Sequence, residues 1–259
     1  MFSPQATEIL GLAVLAALVL AVAGHAVWST RHWPLRWSQK PFYFLNYFLC
    51  KTLWRARVVG QFPLVGEGGV VVCNHRAPVD PCFLELATAR LLHWLVAKEY
   101  CDHPASGWFL RLGEVIPVRR GAVDPSTVKQ AIEHVRRGGV IGLFPEGRIN
   151  TTAELLLPCR VGAAMIALKT RAPVVPCYIR NSPYRGFILS PFVTPSRTDL
   201  IIGRPIDFSE FHGREDDRDV LVEVTRRFLR EIARLAGRPD FEPTVIGRQR
   251  TNGLKKDSG

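Results

Sequence analysis

From about Gly66 onward the chain alternates short apolar runs with stretches of helical periodicity, and no other feature limits the fold so tightly. Strands are expected over 69–73, 93–97, 115–118, 140–144, 174–179 and 200–202, and helices over 80–92, 104–112, 126–137, 160–170 and 217–236. The runs are valine-rich and continuously apolar, so their sheet is covered on both faces, and the helices between them supply the cover. Ser126 can cap the helix that follows it, and Gly138-Gly139 can end it. The pattern predicts an α/β domain over 66–236 with a central sheet, mostly parallel or mixed, flanked by helices. No segment repeats. The polar stretch 237–259 carries no pattern and is expected to be a mobile tail.

Ahead of that domain the composition shifts. From Ile9 to Trp28 the only strongly polar side chain is His25. Twenty residues of helix rise about 30 Å, the thickness of a hydrocarbon core. Ala21-Val22-Ala23 resembles a cleavage site, but a secretory signal needs basic residues ahead of its apolar run, and only Glu8 and the α-amino group precede this one. Residues 1–30 are therefore expected to be a transmembrane anchor. No Asp or Glu occurs between Glu8 and Glu67, whereas Arg31, Arg36, Lys40, Lys51, Arg55 and Arg57 all do. Positive charge after the anchor places the rest of the chain on the cytoplasmic side of the cytoplasmic membrane. Within 31–65, the run Pro41 to Trp54 is dense in aromatic rings and ends in cations, as in a helix lying at the membrane interface; an ordinary core helix is the plainer reading.

With 259 residues and 47% apolar composition, the chain can bury a full core, which excludes disordered and disulfide-scaffold classes. Its six cysteines are scattered without a C-x-x-C pair, as reduced core thiols are. A formal charge of +11 and a pI near 9.8 point to an anionic partner. Nucleic acid is the weaker choice, because the aromatics crowd beside an apolar run and no recognition motif is present.

Serine-elbow, phosphate-loop, H-E-x-x-H and dinucleotide motifs are all missing, and no metal-ligand spacing occurs. What stands out is Asn74-His75-Arg76-Ala77-Pro78-Val79-Asp80, directly after the expected strand 69–73. A histidine at a strand end with a carboxylate five residues on makes a base and its orienter. The spacing alone says little: His212 and Asp217 share it, in a charged run where a cap or a solvated face is the plainer reading. Three further segments add weight. Arg119 ends the run from Gly113, Phe144-Pro145-Glu146-Gly147-Arg148 follows another strand, and Ala172-Pro173-Val174-Val175-Pro176 opens a third. Taken singly, Arg119 and Glu146 read as a surface ion pair and the prolines as edge or bulge residues. At the carboxyl ends of parallel strands, however, His75, Arg119 and Arg148 converge on one crevice, a base beside two phosphate-binding cations.

Together and in this order, the N-H-x4-D, G-x5-R, F-P-E-G and V-P segments resemble the four motif blocks of the glycerolipid acyltransferase family, from about Gly69 to Ile179. The best-known members are 1-acyl-glycerol-3-phosphate acyltransferases, and the resemblance implies their glycerol-phosphate acyltransferase-like fold. Lys98-Glu99 looks like the family's segment between the first two blocks. Carried over residue by residue, His75 deprotonates the acceptor hydroxyl, Asp80 orients it, and Lys98, Arg119, Glu146, Gly147 and Arg148 hold the acceptor's phosphate. The implied reaction moves an acyl group from acyl-CoA or acyl-carrier protein to the sn-2 hydroxyl of lysophosphatidic acid, with neither metal nor cofactor and without an acyl-enzyme. The implied partners are the lipid bilayer, the lysophospholipid and the acyl donor. One departure stands out: the family's third block runs F-P-E-G-T-R-S, whereas here Arg148 follows Gly147 directly and Ile149 takes the usual arginine place. This version also resembles acyltransferases acting on lysophosphatidylethanolamine, so that acceptor, glycerol-3-phosphate and an inactive membrane scaffold stay open.

Overall fold

The structure, a computed structural model, describes residues 35–64, 68–88, 90–119 and 125–246, together with residues 13, 14 and 17. The expected anchor over 1–30 otherwise lies outside the described residues, as does the chain after 246. Among the described residues no helix is long and apolar enough to cross a membrane.

Helix α1 (Lys40–Thr52) leads into strand β1 (Arg57–Val59) and then β2 (Gly69–Cys73). Next come α2 (Asp80–Ala87), β3 (Leu92–Ala97), α3 (Lys98–Asp102), α4 (Pro104–Leu112), β4 (Ile116–Val118), α5 (Pro125–Arg136) and β5 (Val140–Leu143). The chain continues through β6 (Cys159–Arg160), α6 (Gly162–Thr170), β7 (Val174–Arg180), β8 (Asp199–Ile202), α7 (Arg218–Leu235) and β9 (Val245–Ile246).

Seven strands form one sheet in the order β1-β8-β7-β2-β5-β3-β4. From β7 to β4 every pairing is parallel, whereas β8 runs antiparallel to β7 and β1 parallel to β8, so the sheet is mixed. All five residues of β2 are buried, and they divide by alternation. Val71 and Cys73 pack with Trp54, Phe83 and Leu84 from the α1–α2 side, and Val70 and Val72 with residues of α5, α6 and α7. A central parallel strand has no solvent face, which explains its unbroken apolar sequence.

The expected helix over 80–92 ends at Ala87. Thr88 is already extended, and the Glu85 side chain accepts from the backbone N–H of Leu92, which starts β3. Helix α1 buries Cys50 and, just past its end, Trp54 is fully buried, yet Leu45 and Phe48 face outward. It is thus both a core helix and an apolar surface. Asp217 caps α7 by accepting from the N–H groups of Asp219 and Val220, so the second His-x4-Asp pair is a capping feature. The chain past Gly237 was expected to be mobile, but it keeps a defined path to Ile246, because β9 pairs with β6 and Phe241 packs on the core.

Candidate active site

β2 carries Asn74 and His75 to the carboxyl edge of the sheet, where the chain turns into α2. The Asn74 amide continues the β2–β7 ladder past the strand's end: Nδ2 donates to the Ile179 carbonyl at 3.0 Å and Oδ1 accepts from its N–H at 2.7 Å. Pro81 in the first turn of α2 costs no helical hydrogen bond, and Asp80 there meets the positive end of the helix.

Asp80 is fully buried. Its Oδ2 lies 2.9 Å from His75 Nδ1 and accepts from the N–H groups of Arg76 at 2.5 Å and Ala77 at 2.8 Å. Its Oδ1 accepts from the Ser182 hydroxyl, just past β7. An ionised carboxylate only accepts, so this network assigns the proton to Nδ1 and leaves a lone pair on Nε2. The ring keeps 17% of its surface open, so a substrate can reach it. A general base oriented by a buried carboxylate is what this pair can provide.

The ring plane is fixed by stacking. His75 lies on Phe144 and Phe144 on Trp94, with centroids 4.0 and 4.9 Å apart. Trp94 fits because residue 142 of β5 is glycine, where a Cβ would come within 2.7 Å of the indole. The backbone of His75 is fixed as well: its N–H donates to Glu146 Oε1 at 2.7 Å and its carbonyl accepts from the Asn150 N–H at 2.7 Å. Glu146 Oε2 accepts from the Leu157 N–H at 2.8 Å. Burial pushes the Glu146 carboxyl above its ordinary range, and the two backbone bonds pull against that shift. Glu146 therefore sits beneath His75 and fixes its backbone, a different place from the phosphate contact the resemblance implies. Gly147, at φ +67°, turns the chain there, a conformation that favours glycine.

The cations share one edge. Val72 is beside Leu143, Trp94 beside Gly142 and Leu95 beside Ile116, so the register forms one row across four adjacent strands. His75, Glu146, Lys98 and Arg119 each lie three residues beyond that row. Three strand spacings separate β2 from β4, about 14 Å in all. Arg119 and Arg148 are exposed and make no ion pair among the described residues. Lys98 begins α3 and pairs with Asp102 at 3.0 Å. Arg120, which follows Arg119, lies outside the described residues.

Sequence reasoning missed Ser182, which meets Asp80 across 102 residues without any spacing rule. It also missed Arg76, whose guanidinium donates to the carbonyls of Asn150 and Thr152 and fixes the segment after Glu146. The F-P-E-G motif did contain a clue to the stack, an aromatic at the end of β5 one residue past its last strand position. Cys73 adjoins the site, but burial pushes its thiol well above its ordinary value, so it offers no thiolate.

A model of the acyltransferase family matches residues 55–180. A 1-acyl-sn-glycerol-3-phosphate acyltransferase of Bacillus subtilis is 28% identical over 175 residues, which is 67% of this chain and 84% of that protein. One from Streptococcus pneumoniae is 25% identical across 68% of this chain and 63% of its own length. The crystal structure of the 1-acyl-sn-glycerophosphate (LPA) acyltransferase PlsC from Thermotoga maritima shares the fold, with a TM-score of 0.58 at 21% identity over 82% of this chain and 88% of that one. The matched span runs from β1 to β7 and contains His75, Asp80 and Glu146. By its motif order, its sheet and these likenesses, the chain carries an acyltransferase-family domain over residues 55–180, and the relatives it resembles are 1-acyl-sn-glycerol-3-phosphate acyltransferases.

Proposed function

We propose that the protein moves a fatty acyl group from a CoA or acyl-carrier-protein thioester to the sn-2 hydroxyl of lysophosphatidic acid, giving phosphatidic acid. The His75–Asp80 pair, 2.9 Å apart with the carboxylate fully buried, is the observation that carries this reading. His75 Nε2 takes the proton of the acceptor hydroxyl as its oxygen attacks the thioester carbonyl carbon. Asp80 offsets the positive charge that develops on the imidazole. The tetrahedral adduct then collapses, the C–S bond breaks, and the thiolate leaves with the proton from His75. Both groups exchanged come from the substrates, so the balance needs neither metal nor cofactor. A base of this kind contributes on the order of 10²- to 10⁴-fold, with the rest from holding two lipids together.

Arg119 and Arg148, exposed and without carboxylate partners among the described residues, hold the acceptor's phosphate, with Lys98 on the same edge. The apolar run over 9–28 anchors the chain in the cytoplasmic membrane, and α1 lies at its cytoplasmic surface. The test is release of free thiol from palmitoyl-CoA by detergent-purified protein, with lysophosphatidic acid, lysophosphatidylethanolamine and glycerol-3-phosphate compared as acceptors. Release that depends on lysophosphatidic acid is expected. Preference for lysophosphatidylethanolamine would assign the shifted Arg148 turn to that acceptor, and silence with all three, from CoA and carrier-protein donors alike, would overturn the reading.

A further inference from the structure

We propose that the loop 183–193 is a second membrane contact, a preformed wedge that inserts Phe187, Ile188, Leu189 and Val193 into an anionic lipid surface beside α1. The inference goes beyond the acyl-transfer reading and stands without it.

Three consecutive apolar residues form the tip. Phe187, Ile188 and Leu189 are 56, 58 and 64% exposed, and Val193 is 72% exposed. Such clusters on a soluble surface mark interaction sites. The tip is not loose chain. Ser190 is fully buried; its N–H donates to the Phe187 carbonyl, its hydroxyl accepts from the Arg185 N–H, and its carbonyl accepts from the Thr194 hydroxyl. The side chains on either side are thus held outward by a satisfied backbone, and insertion costs little ordering entropy.

The wedge and α1 form one unit through Trp54, which is fully buried. Its indole N–H donates to the Pro191 carbonyl at 2.9 Å, and its ring lies 6.0 Å from that of Phe192. The N–H groups of Ser196 and Thr198 donate to the carbonyls of Leu53 and Trp54. Leu45 and Phe48, 54 and 60% exposed, extend the apolar surface along α1.

Charge selects the partner. Residues 181–198 contain Arg185 and Arg197 but no acid, and residues 31–66 are equally free of acid. Arg185, Arg197, Lys51 and Arg55 are all exposed. Apolar side chains on two segments that carry cations and no acid match acyl chains beneath anionic headgroups. The foot of the loop is Ser182, whose hydroxyl holds Asp80, so a seated wedge brings the lipid surface to within a few residues of the catalytic pair.

The test places bimane on Leu189→Cys and, separately, on Val193→Cys in the full chain, reconstituted in phosphatidylcholine–phosphatidylglycerol vesicles. The six native cysteines are buried or half-buried, and the unsubstituted chain treated alike gives their background. Lys129→Cys, exposed on α5 across the sheet, is the control. Emission at 189 and 193 is expected to move to shorter wavelength and to be quenched by doxyl-lipid several-fold more than at 129. Water-like emission in vesicle-bound protein would overturn the proposal. Emission shielded from water but untouched by doxyl-lipid would overturn it too, and would point to a protein partner. The readout needs no turnover, so a chain inactive on lysophosphatidic acid leaves the wedge standing, and a water-exposed label leaves the acyl-transfer reading standing.

Discussion

The His75 imidazole lies flat on the Phe144 ring, with centroids 4.0 Å apart and planes 8° from parallel. Beneath Phe144 is Trp94, and beneath Trp94 is the bare Cα of Gly142, where a Cβ would come within 2.7 Å of the indole. The smallest residue of β5 thus sets the tilt of the His75 ring three layers away. Gly142→Ala is expected to push the indole off the strand at a cost of about 1–3 kcal/mol. A base displaced by roughly 1 Å loses on the order of 10²-fold in rate. Thermal unfolding and kcat measured together check this, and a lowered Tm with unchanged kcat would mean that the stack supports the core and not the base.

Asp80→Asn is expected to be milder than loss of the base itself. The N–H groups of Arg76 and Ala77 both point at Oδ2, so the amide oxygen must take that position. It still accepts from His75 Nδ1 and keeps the tautomer, and the NH2 group faces Ser182, whose hydroxyl can accept. Only the negative charge is lost, worth about 10- to 100-fold in kcat, since a charged acceptor adds roughly 1.5–3 kcal/mol. His75→Ala loses about 10²- to 10⁴-fold. Equal losses in kcat for the two variants would show that Asp80 does more than stabilise charge.

The positions of the central strands and the His75–Asp80 pairing were legible because both are local. Continuous valine runs such as 69–73 identify buried parallel strands without any knowledge of their neighbours. The position of Asp80 five residues after His75 likewise depends on one turn. β1 was not legible: three residues, Arg57–Val59, carry no periodicity and form a strand only because β8 offers an edge. β6 and β9 are shorter still, two residues each, and specify one another across the chain. The place of Glu146 was not legible for a related reason. Its motif gives the residue type and the turn, but only the fold shows that the carboxylate points inward to the N–H groups of His75 and Leu157.

Glu85 makes stability depend on pH. Burial raises its carboxyl from 4.5 to about 8, against the opposing bonds from Trp94 and the Leu92 N–H. The folded chain therefore holds this proton where the unfolded chain has released it. Its stabilising contribution is complete below the unfolded value and is lost as pH rises toward about 8. Glu85→Gln keeps the oxygen that Trp94 and Leu92 address and cannot ionise. Denaturation between pH 5 and 8 is expected to show wild-type stability falling by a few kcal/mol relative to the variant. Parallel curves for the two proteins would place the titration elsewhere.

Arg148 follows Gly147 directly, one place earlier than in the family pattern; it is exposed and lies two residues before Asn150, whose N–H donates to the His75 carbonyl. Lys98 on the same edge already pairs with Asp102, whereas Arg148 and Arg119 have no such partner among the described residues. A guanidinium bound to a phosphate contributes about 1.5–3 kcal/mol, so Arg148→Ala is expected to raise KM for lysophosphatidic acid by about 10- to 100-fold. Arg119→Ala should act alike, and Lys98→Ala less, because its charge is partly spent on Asp102. The exposed positions leave Tm unchanged, which separates binding from folding. Lysophosphatidic acid is a phosphate monoester; an acceptor whose phosphate is a diester carries less charge there and offers fewer free oxygens, so the same substitutions should raise its KM less. If Arg148→Ala shifts KM for lysophosphatidic acid and lysophosphatidylethanolamine equally, the shifted turn does not read the phosphate's charge, and Arg119 and Lys98 become the candidates for that contact.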